Sequence, residues 1–366
     1  MRPKRATQER APIVCHKRAR LEQSRTPGAS NAARRGLAGL IAAVGLLVAA
    51  APANALDKVT FGANWLADAE AGGFYQAVVD GTYQKYGLDV TIMQGGPHSN
   101  GGLYLLMGKI EFFMGGDMVG DFIAADEDLP MVVVAAEFQK DPQAILSHPG
   151  VGLDKWTDLP NASTAFVSQS ALNSFYVWMR AVWGFRNDNV KPYNFNSAPF
   201  IADKHSIQQA YATSEPFAIE RQGGFDPNLF LLYDYGFASY STTIVTRRDL
   251  VQKRPDLVQR FVDASAIGWY HYLYGDNRKA NELIEKDNPD MTDEQIAFSI
   301  GKMKKYGIVD SGDAMQLGIG AMTDARMKSF FDELVKAKLV KPDADYKKTY
   351  TLQFVNKGVG VELEPH

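Results

Sequence analysis

Between residues 57 and 137 short β-prone runs alternate with stretches of helical periodicity, and this alternation restricts the fold more than any other feature of the chain. Lys58 to Ala63 and Leu88 to Met93 are β-prone. Between them Tyr75, Val79, Tyr83 and Tyr86 recur at spacings of four, four and three, the stripe of an amphipathic helix. Gly87 stands where a C-cap glycine belongs. The pattern then repeats, with a helix near Leu103 to Gly108, a strand from Ile110 to Met114, a helix from Asp117 and the apolar run Met131 to Ala136. Strands and helices in this rhythm predict an α/β layer with a parallel sheet covered on both faces.

A second block of the same texture follows the turns at Pro149-Gly150 and Leu159-Pro160. Thr164 to Val167 reads as a strand, Asn173 to Trp183 as a helix, and Tyr193 to Phe195 and Leu229 to Tyr233 as further strands. After Tyr240 the chain turns mostly helical. Pro255 suits the first turn of a long helix, and further helices are predicted near Met291 to Tyr306 and Asp324 to Ala337, with loose strand or coil at Thr349 to Phe354. The expected architecture is two α/β lobes with a ligand cleft between them: residues 56–145 in the first, 146–237 in the second, and 238–366 returning to the first with the C-terminal helices.

The first 55 residues read differently. They hold ten Lys or Arg against Glu9 and Glu22, then an apolar run from Gly36 to Ala51 and the Ala53-Asn54-Ala55 triplet. That sequence of features predicts a secretory signal peptide cut after Ala55, hence a periplasmic protein. The run is shorter than the roughly 20 residues of a membrane span. Arg34-Arg35 raises twin-arginine export, although its flanks fit that motif poorly, and the leader's extra length suggests a start codon downstream of Met1. Cys15, the chain's one cysteine, lies far from the cut, unlike a lipoprotein signal. Without the leader the charge balance is acidic, with 29 Lys or Arg against 40 Asp or Glu. Such a chain is a poor partner for nucleic acid or anionic membranes. An exported chain lacking cysteine holds itself by its core. With His98, His148, His205 and His271 scattered and His366 terminal, no metal site is expected, and no cofactor motif is visible.

In open α/β sheets the loops beyond the strand ends carry the ligand. The first such loop runs from Asn64-Trp65 through Asp68 and Glu70 into Gly72-Gly73-Phe74-Tyr75. Trp65 offers a face for stacking, Glu70 an acceptor for N–H donors, the glycines a close backbone approach, and Phe74 or Tyr75 a wall. The competing reading makes Trp65 core, Glu70 a cap and the glycines a turn. Gly115-Gly116-Asp117 again follows a strand and opens a helix, as a ligand cradle or a capped turn. Ser168-Gln169-Ser170 offers hydroxyls at a helix start, with capping the simpler role for one serine. Thr213-Ser214-Glu215-Pro216-Phe217 supplies a second carboxylate. Tyr233, Asp234, Tyr235, Phe237 and Tyr240 cluster where the chain would recross, suited to hinge packing or stacking. His98, in Gly95-Gly96-Pro97-His98 beyond a strand end, is within reach of the cleft, with a surface-loop position the simpler reading. No nucleophile elbow or phosphate-binding Lys loop is present, and no catalytic residue is assigned.

With these residues in view, the chain resembles a known family. Asn64-Trp65 with Glu70 to Ala77, then Gly81-x-Tyr83-x-x-Tyr86-Gly87-Leu88-Asp89-Val90, are similar to the opening of the domain shared by sulfonate, nitrate and taurine binding proteins and thiamine-pyrimidine synthases. Gly108-x-Ile110-Glu111-Phe112, Thr213-Ser214-Glu215-Pro216 and Arg254-Pro255-Asp256-Leu257-Val258 extend the resemblance over residues 57–340. It implies a type II periplasmic binding protein fold and a monomer that hands a small-molecule ligand to an ABC importer permease and its ATPase. The acidic-aromatic first loop and the Ser-Glu-Pro loop look closest to the branch that binds thiamine pyrimidine precursors. Trp65 and Tyr235 or Tyr240 would then hold a ring, with Glu70 or Glu215 accepting an exocyclic amine. The same role for an alkanesulfonate, taurine, nitrate or riboflavin is the alternative, although the five loops contain no Arg or Lys to meet an anion. The family's eukaryotic synthases carry a cysteine-rich iron motif and consume a lysine-bound cofactor and a histidine. That motif has no counterpart after residue 55, and an enzyme is not expected.

Overall fold

The computed structural model describes residues 55–97 and 99–365. The expected leader, apart from Ala55, therefore lies outside the described residues, as do His98 and His366. In the first lobe β1 (Asp57–Gly62) leads through a short 3₁₀ turn into helices α1 (Gly72–Val79) and α2 (Thr82–Lys85), followed by β2 (Leu88–Met93), α3 (Gly101–Leu106), β3 (Phe112–Met114), α4 (Met118–Asp126) and β4 (Met131–Phe138). The tyrosine stripe is thus split between two helices, because Gly81 takes a positive φ of 75° that ends α1. Gly87 caps α2 with the left-handed backbone expected of it.

The second lobe runs through β5 (Gln143–Ser147), β6 (Thr164–Val167), α5 (Phe175–Trp183), β7 (Val190–Pro192), α6 (Ala198–Ala202), β8 (Ser206–Tyr211), α7 (Glu215–Gly223) and β9 (Asn228–Leu231). The chain then returns through β10 (Ser241–Arg247) to α8 (Arg248–Lys253), the 20-residue α9 (Pro255–Tyr274), α10 (Arg278–Asp287), α11 (Asp293–Tyr306), α12 (Ala314–Leu317) and α13 (Asp324–Lys336). The strand expected over Tyr193 to Phe195 sits three residues earlier, and Leu232 onward turns into a 3₁₀ segment rather than continuing β9.

Each lobe carries one five-stranded sheet, ordered β2-β1-β3-β10-β4 and β7-β6-β8-β5-β9. The sheets are mixed rather than parallel. In the first, β1 runs parallel to β2 and β3, whereas β10 is antiparallel to both β3 and β4. In the second, β6 is parallel to β7 and β8, and β5 is antiparallel to β8 and β9. The reversed strand in each sheet is the one laid down as the chain enters that lobe from the other. Residues 139–142 and 232–240 make the two strand crossings, joined where the Asp141 N–H donates to the Ser239 carbonyl.

The core of the first lobe forms where α9 crosses α1. A side chain at Gly73 would run into the Trp269 indole, one at Gly72 into the Tyr272 ring, and one at Gly268 into the Gly73 carbonyl. The glycines therefore let two helices touch backbone to ring. Behind them Phe112 stacks on Phe261 with centroids 4.0 Å apart, and Phe61 and Phe74 meet at 4.2 Å. The outer strand β4 is covered by bridges from Val133 to Tyr350 and from Ala136 to Gly320, which satisfy part of its exposed edge. Beside that cover, Glu137 is fully buried, and neither carboxylate oxygen has a hydrogen-bond partner.

Candidate functional site

A cavity of about 570 Å³ opens between the lobes. Its first-lobe wall is the 65–70 segment that leaves β1, and its second-lobe wall combines the 195–197 segment with the start of α7. Its third wall comes from the turn after α10 and one face of α11, with Asn288, Asp290, Met291, Gln295 and Ser299. Helix α11 also ties the lobes together: Ser299 donates to the Thr213 carbonyl at 2.6 Å, Phe298 packs on Phe217 at 5.4 Å, and Arg221 of α7 pairs with Glu294.

The first-lobe segment is pinned from both sides at Ala67. Its N–H donates to Gln94 Oε1 at 2.9 Å, and its carbonyl accepts from Asn288 Nδ2 at 2.8 Å. Those two bonds fix a stretch with little regular structure and so aim Trp65, Asp68 and Glu70 at the cavity. Trp65 meets Phe195 of the second lobe with ring centroids 4.7 Å apart, forming an aromatic pair across the mouth. Phe195 keeps a positive φ of 59° and is 45% exposed. A bulky residue in the left-handed region is a strained choice of the kind found at binding sites.

The remaining lining is acidic and polar. Glu70 is 5% exposed and accepts from the Thr213 hydroxyl, a bond that joins the lobes through the carboxylate. Glu215 accepts from the Tyr193 hydroxyl at 2.9 Å and from the Tyr211 N–H at 2.8 Å. Asp68 Oδ1 is buried without a donor. Burial raises the Asp68 carboxyl well above its ordinary range, and the Glu70 charge adds to the shift. Burial likewise raises Glu70, against the lowering bond from Thr213, and Glu215, against the bonds from Tyr211 and Tyr193. No Lys, Arg or His stands among the described lining residues, which include Asp68, Glu70, Glu215 and Asp290.

Of the expected site residues, Trp65, Glu70 and Glu215 line this cavity. The others lie outside it, and all but Gly116 have a packing or bonding role. Asn64 donates to the Gly115 carbonyl at 3.2 Å, joining the ends of β1 and β3. Gly73 and Phe74 belong to the crossing of α1 and α9, and buried Tyr75 donates to Asp287 at 3.1 Å. At Gly115 a side chain would strike Thr243 of β10, so that glycine serves the sheet, whereas Gly116 faces open space. Asp117 caps α4 by accepting from Val119 N–H, and its other oxygen accepts from Ser174 of the second lobe at 2.6 Å. Ser168 accepts from the Ala171 N–H at 3.3 Å and lies 3.0 Å from the Ser170 hydroxyl, so the capping role falls to Ser168. Tyr235 stacks on Trp156 at 4.2 Å, within the second lobe. Tyr240 donates to Asp313 at 2.8 Å under the Arg326 guanidinium. Both tyrosines are thus engaged in packing, and the second aromatic at the mouth is Phe195.

The cavity residues that the sequence reading did not single out for a site come from three sources. Ala218 and Gln222 follow Glu215 along α7. Phe195, Asn196 and Ser197 follow a strand end, and a loop search keyed to strand ends reaches them once β7 is placed at Val190–Pro192. Asn288 to Ser299 sit more than 200 residues from Trp65, and no local pattern marks them.

Among the described residues no helix is long and apolar enough to cross a membrane, and no cluster of metal-binding side chains occurs. No curated protein sequence matches the chain. Similar solved structures include the periplasmic aliphatic sulphonate binding protein SsuA from Escherichia coli, 13% identical with a TM-score of 0.60, covering 80% of this chain and 91% of that one. SsuA from Xanthomonas axonopodis pv. citri, an alkanesulfonate-binding protein bound to MOPS, is 11% identical with a TM-score of 0.56, covering 80% and 98%. The desulfurization enzyme DSZB is 15% identical with a TM-score of 0.53, covering 84% and 99%. At such identities the likeness establishes a common fold, hosting both binding proteins and an enzyme. The family model described as NMT1/THI5 like matches residues 68–278, in keeping with the resemblance read from the loop at Glu70. The chain belongs to the NMT1/THI5-like family and folds as a two-lobed periplasmic binding protein.

Proposed function

We propose that this protein is a non-enzymatic, monomeric solute receptor of the periplasm that delivers a small aromatic heterocycle bearing amino groups, of the thiamine pyrimidine class, to an ABC importer permease and its ATPase. The observation that carries the reading is the composition of the interlobe cavity. An aromatic pair, Trp65 and Phe195, stands at its mouth over the carboxylates Glu70 and Glu215, with no cationic side chain among its described lining residues. A ring bearing N–H donors matches that surface: the aromatics supply stacking area and the carboxylates accept the donors. The basic-apolar leader supports export, and the lack of a cysteine after residue 55 argues against an iron-dependent pyrimidine synthase.

A second reading, in which the solute is a sulfonate, is favoured by the names of the structurally similar SsuA proteins. Buried carboxylates without a balancing cation oppose it on electrostatic grounds. A thermal-shift screen separates the two, using an aminopyrimidine, riboflavin, taurine, an alkanesulfonate and nitrate. Ligand at 100 times its Kd adds about 2.7 kcal/mol of stability. A shift with the aminopyrimidine, lost in Trp65→Ala, is the expected result. A shift confined to the sulfonates or nitrate refutes the heterocycle reading.

A further inference from the structure

We propose that the cleft holds its solute as a cation, with the positive nitrogen placed between Asp68 and Glu70 of the first lobe and Glu215 of the second. The inference rests on the solute-receptor reading and adds the ligand's charge to it. Glu70 is only 5% exposed, lines the cavity and has one oxygen engaged by the Thr213 hydroxyl, and no side-chain donor reaches the other. Asp68 Oδ1 is buried without a hydrogen-bond partner, and only the backbone N–H groups of Ala71 and Glu70 face the carboxylate. The Tyr272 hydroxyl is also buried without a partner, and it lies close enough to Glu70 and Asp68 for both charges to act on it. Unmet acceptors of this kind are costly in a folded protein unless something else satisfies them.

The surrounding groups give no internal answer. The titratable groups acting on the three carboxylates are Tyr75 of α1, Tyr193 after β7, Tyr211 of β8, Tyr272 of α9 and the carboxylates themselves, with Asp290 also on the cavity wall. Every one of them is neutral or negative. Burial raises all three carboxyls, and the Glu70 charge adds to the shifts of Asp68 and Glu215, so with no cation present they hold protons more readily than free carboxylates do. A bound ammonium or protonated amidine would supply the missing positive charge and donate several N–H bonds at once. An anionic solute would add to a repulsion the site already carries. The second-lobe carboxylate matters for closure as well, since a cation bridging Glu70 and Glu215 is worth most when the lobes are together.

The test is isothermal titration of the protein at pH 7.5 with three probes of one size class. These are 4-amino-5-aminomethyl-2-methylpyrimidine, which carries an ammonium, its neutral 5-hydroxymethyl analogue, and butanesulfonate. The aminomethyl probe is expected to bind at least tenfold more tightly than the hydroxymethyl one, and the gap should shrink as salt is raised. Glu70→Gln and Glu215→Gln should each bring the ratio to within about threefold. Circular dichroism and a cooperative melt identify folded variants, and Asp68→Asn replaces either that fails to fold. Failure of the aminomethyl probe to bind overturns the proposal. So does equal or tighter binding of the hydroxymethyl probe, which leaves the heterocycle reading intact. Binding of butanesulfonate alone overturns both.

Discussion

Replacing Glu137 with Gln should stabilise the protein in alkaline solution and do little in acid. The side chain is fully buried on β4, neither oxygen has a partner, and burial raises its pKa to about 8 from the ordinary 4.5. The folded chain therefore holds a proton that the unfolded chain releases above about pH 4.5. Below that pH both states are protonated and the residue has no pH-dependent effect. Between pH 4.5 and 8 stability falls by about 1.4 kcal/mol per pH unit, and above 8 the loss is complete. The full interval corresponds to about 5 kcal/mol, an upper bound, because water entry or local relaxation relieves part of it. The carboxamide introduced by Glu137→Gln has the shape of the protonated acid and no charge to gain. Any constant effect of the amide cancels when variant and parent are compared across pH. The assay is urea unfolding of both proteins from pH 5 to pH 9. The variant's advantage should grow by about 2 to 5 kcal/mol over that range. A difference independent of pH would refute the argument, since it would mean that Glu137 ionises inside the fold with solvent or a partner at hand.

The remaining predictions address the lobes and the cleft. Gly73→Ala should destabilise the first lobe by about 1 to 3 kcal/mol, because its methyl meets the Trp269 indole, whereas Gly102→Ala on α3, with open space around it, should be neutral or stabilising; thermal melts compare the two. Ser174→Ala removes the donor to Asp117 and should cost about 1 to 3 kcal/mol in urea unfolding, with the Asp117 carboxylate left short of a partner between the lobes. Phe195→Ala should weaken binding of an aminopyrimidine by about 1 kcal/mol and leave the unfolding midpoint within error; an unchanged Kd would reduce Phe195 to a surface residue. Affinity for the same ligand should fall on acidification, beginning above the ordinary carboxylate range, as Asp68, Glu70 and Glu215, whose pKa values are raised, take up protons and lose the charge that strengthens their bonds to N–H donors; titration calorimetry across a pH series reads it.

The layered α/β plan was readable because β1, β2, β6 and α9 are marked by local signals: β-prone runs, a helical stripe and a proline at a helix start. Two of the strands that were missed, β10 and β8, hide their period behind polar side chains. In β10 Ser241, Thr242, Thr243 and Thr246 are buried, and in β8 Gln208 and Gln209 are, so neither reads as an apolar alternation. Mixed sheet direction has no sequence signature, since it depends on which neighbour a strand meets after the crossing. The first loop was found by its strand-to-helix position, but its glycines were assigned to the wrong neighbour. A glycine pair shows that something approaches closely; that the visitor is Trp269 and Tyr272, some 200 residues later, is a matter of tertiary packing. Glu70 and Glu215 stood out as acids at loop ends, whereas Asn288 and Gln94, which hold the backbone of Ala67, are too distant in sequence to be associated with Trp65.

The place of β10 in the middle of the first sheet bears on how the molecule is assembled. The second lobe is one continuous stretch, and all five of its strands are present once residue 231 has been made. The first lobe is not: β3 and β4 wait on either side of an empty slot until Ser241–Arg247 arrives to fill it. During vectorial synthesis the later lobe can therefore finish before the earlier one, which keeps two unpaired strand edges in the meantime. A truncation ending at residue 240 should leave a folded second lobe beside an aggregation-prone first one, and a single segment, the seven residues of β10, would separate that fragment from a complete pair of sheets.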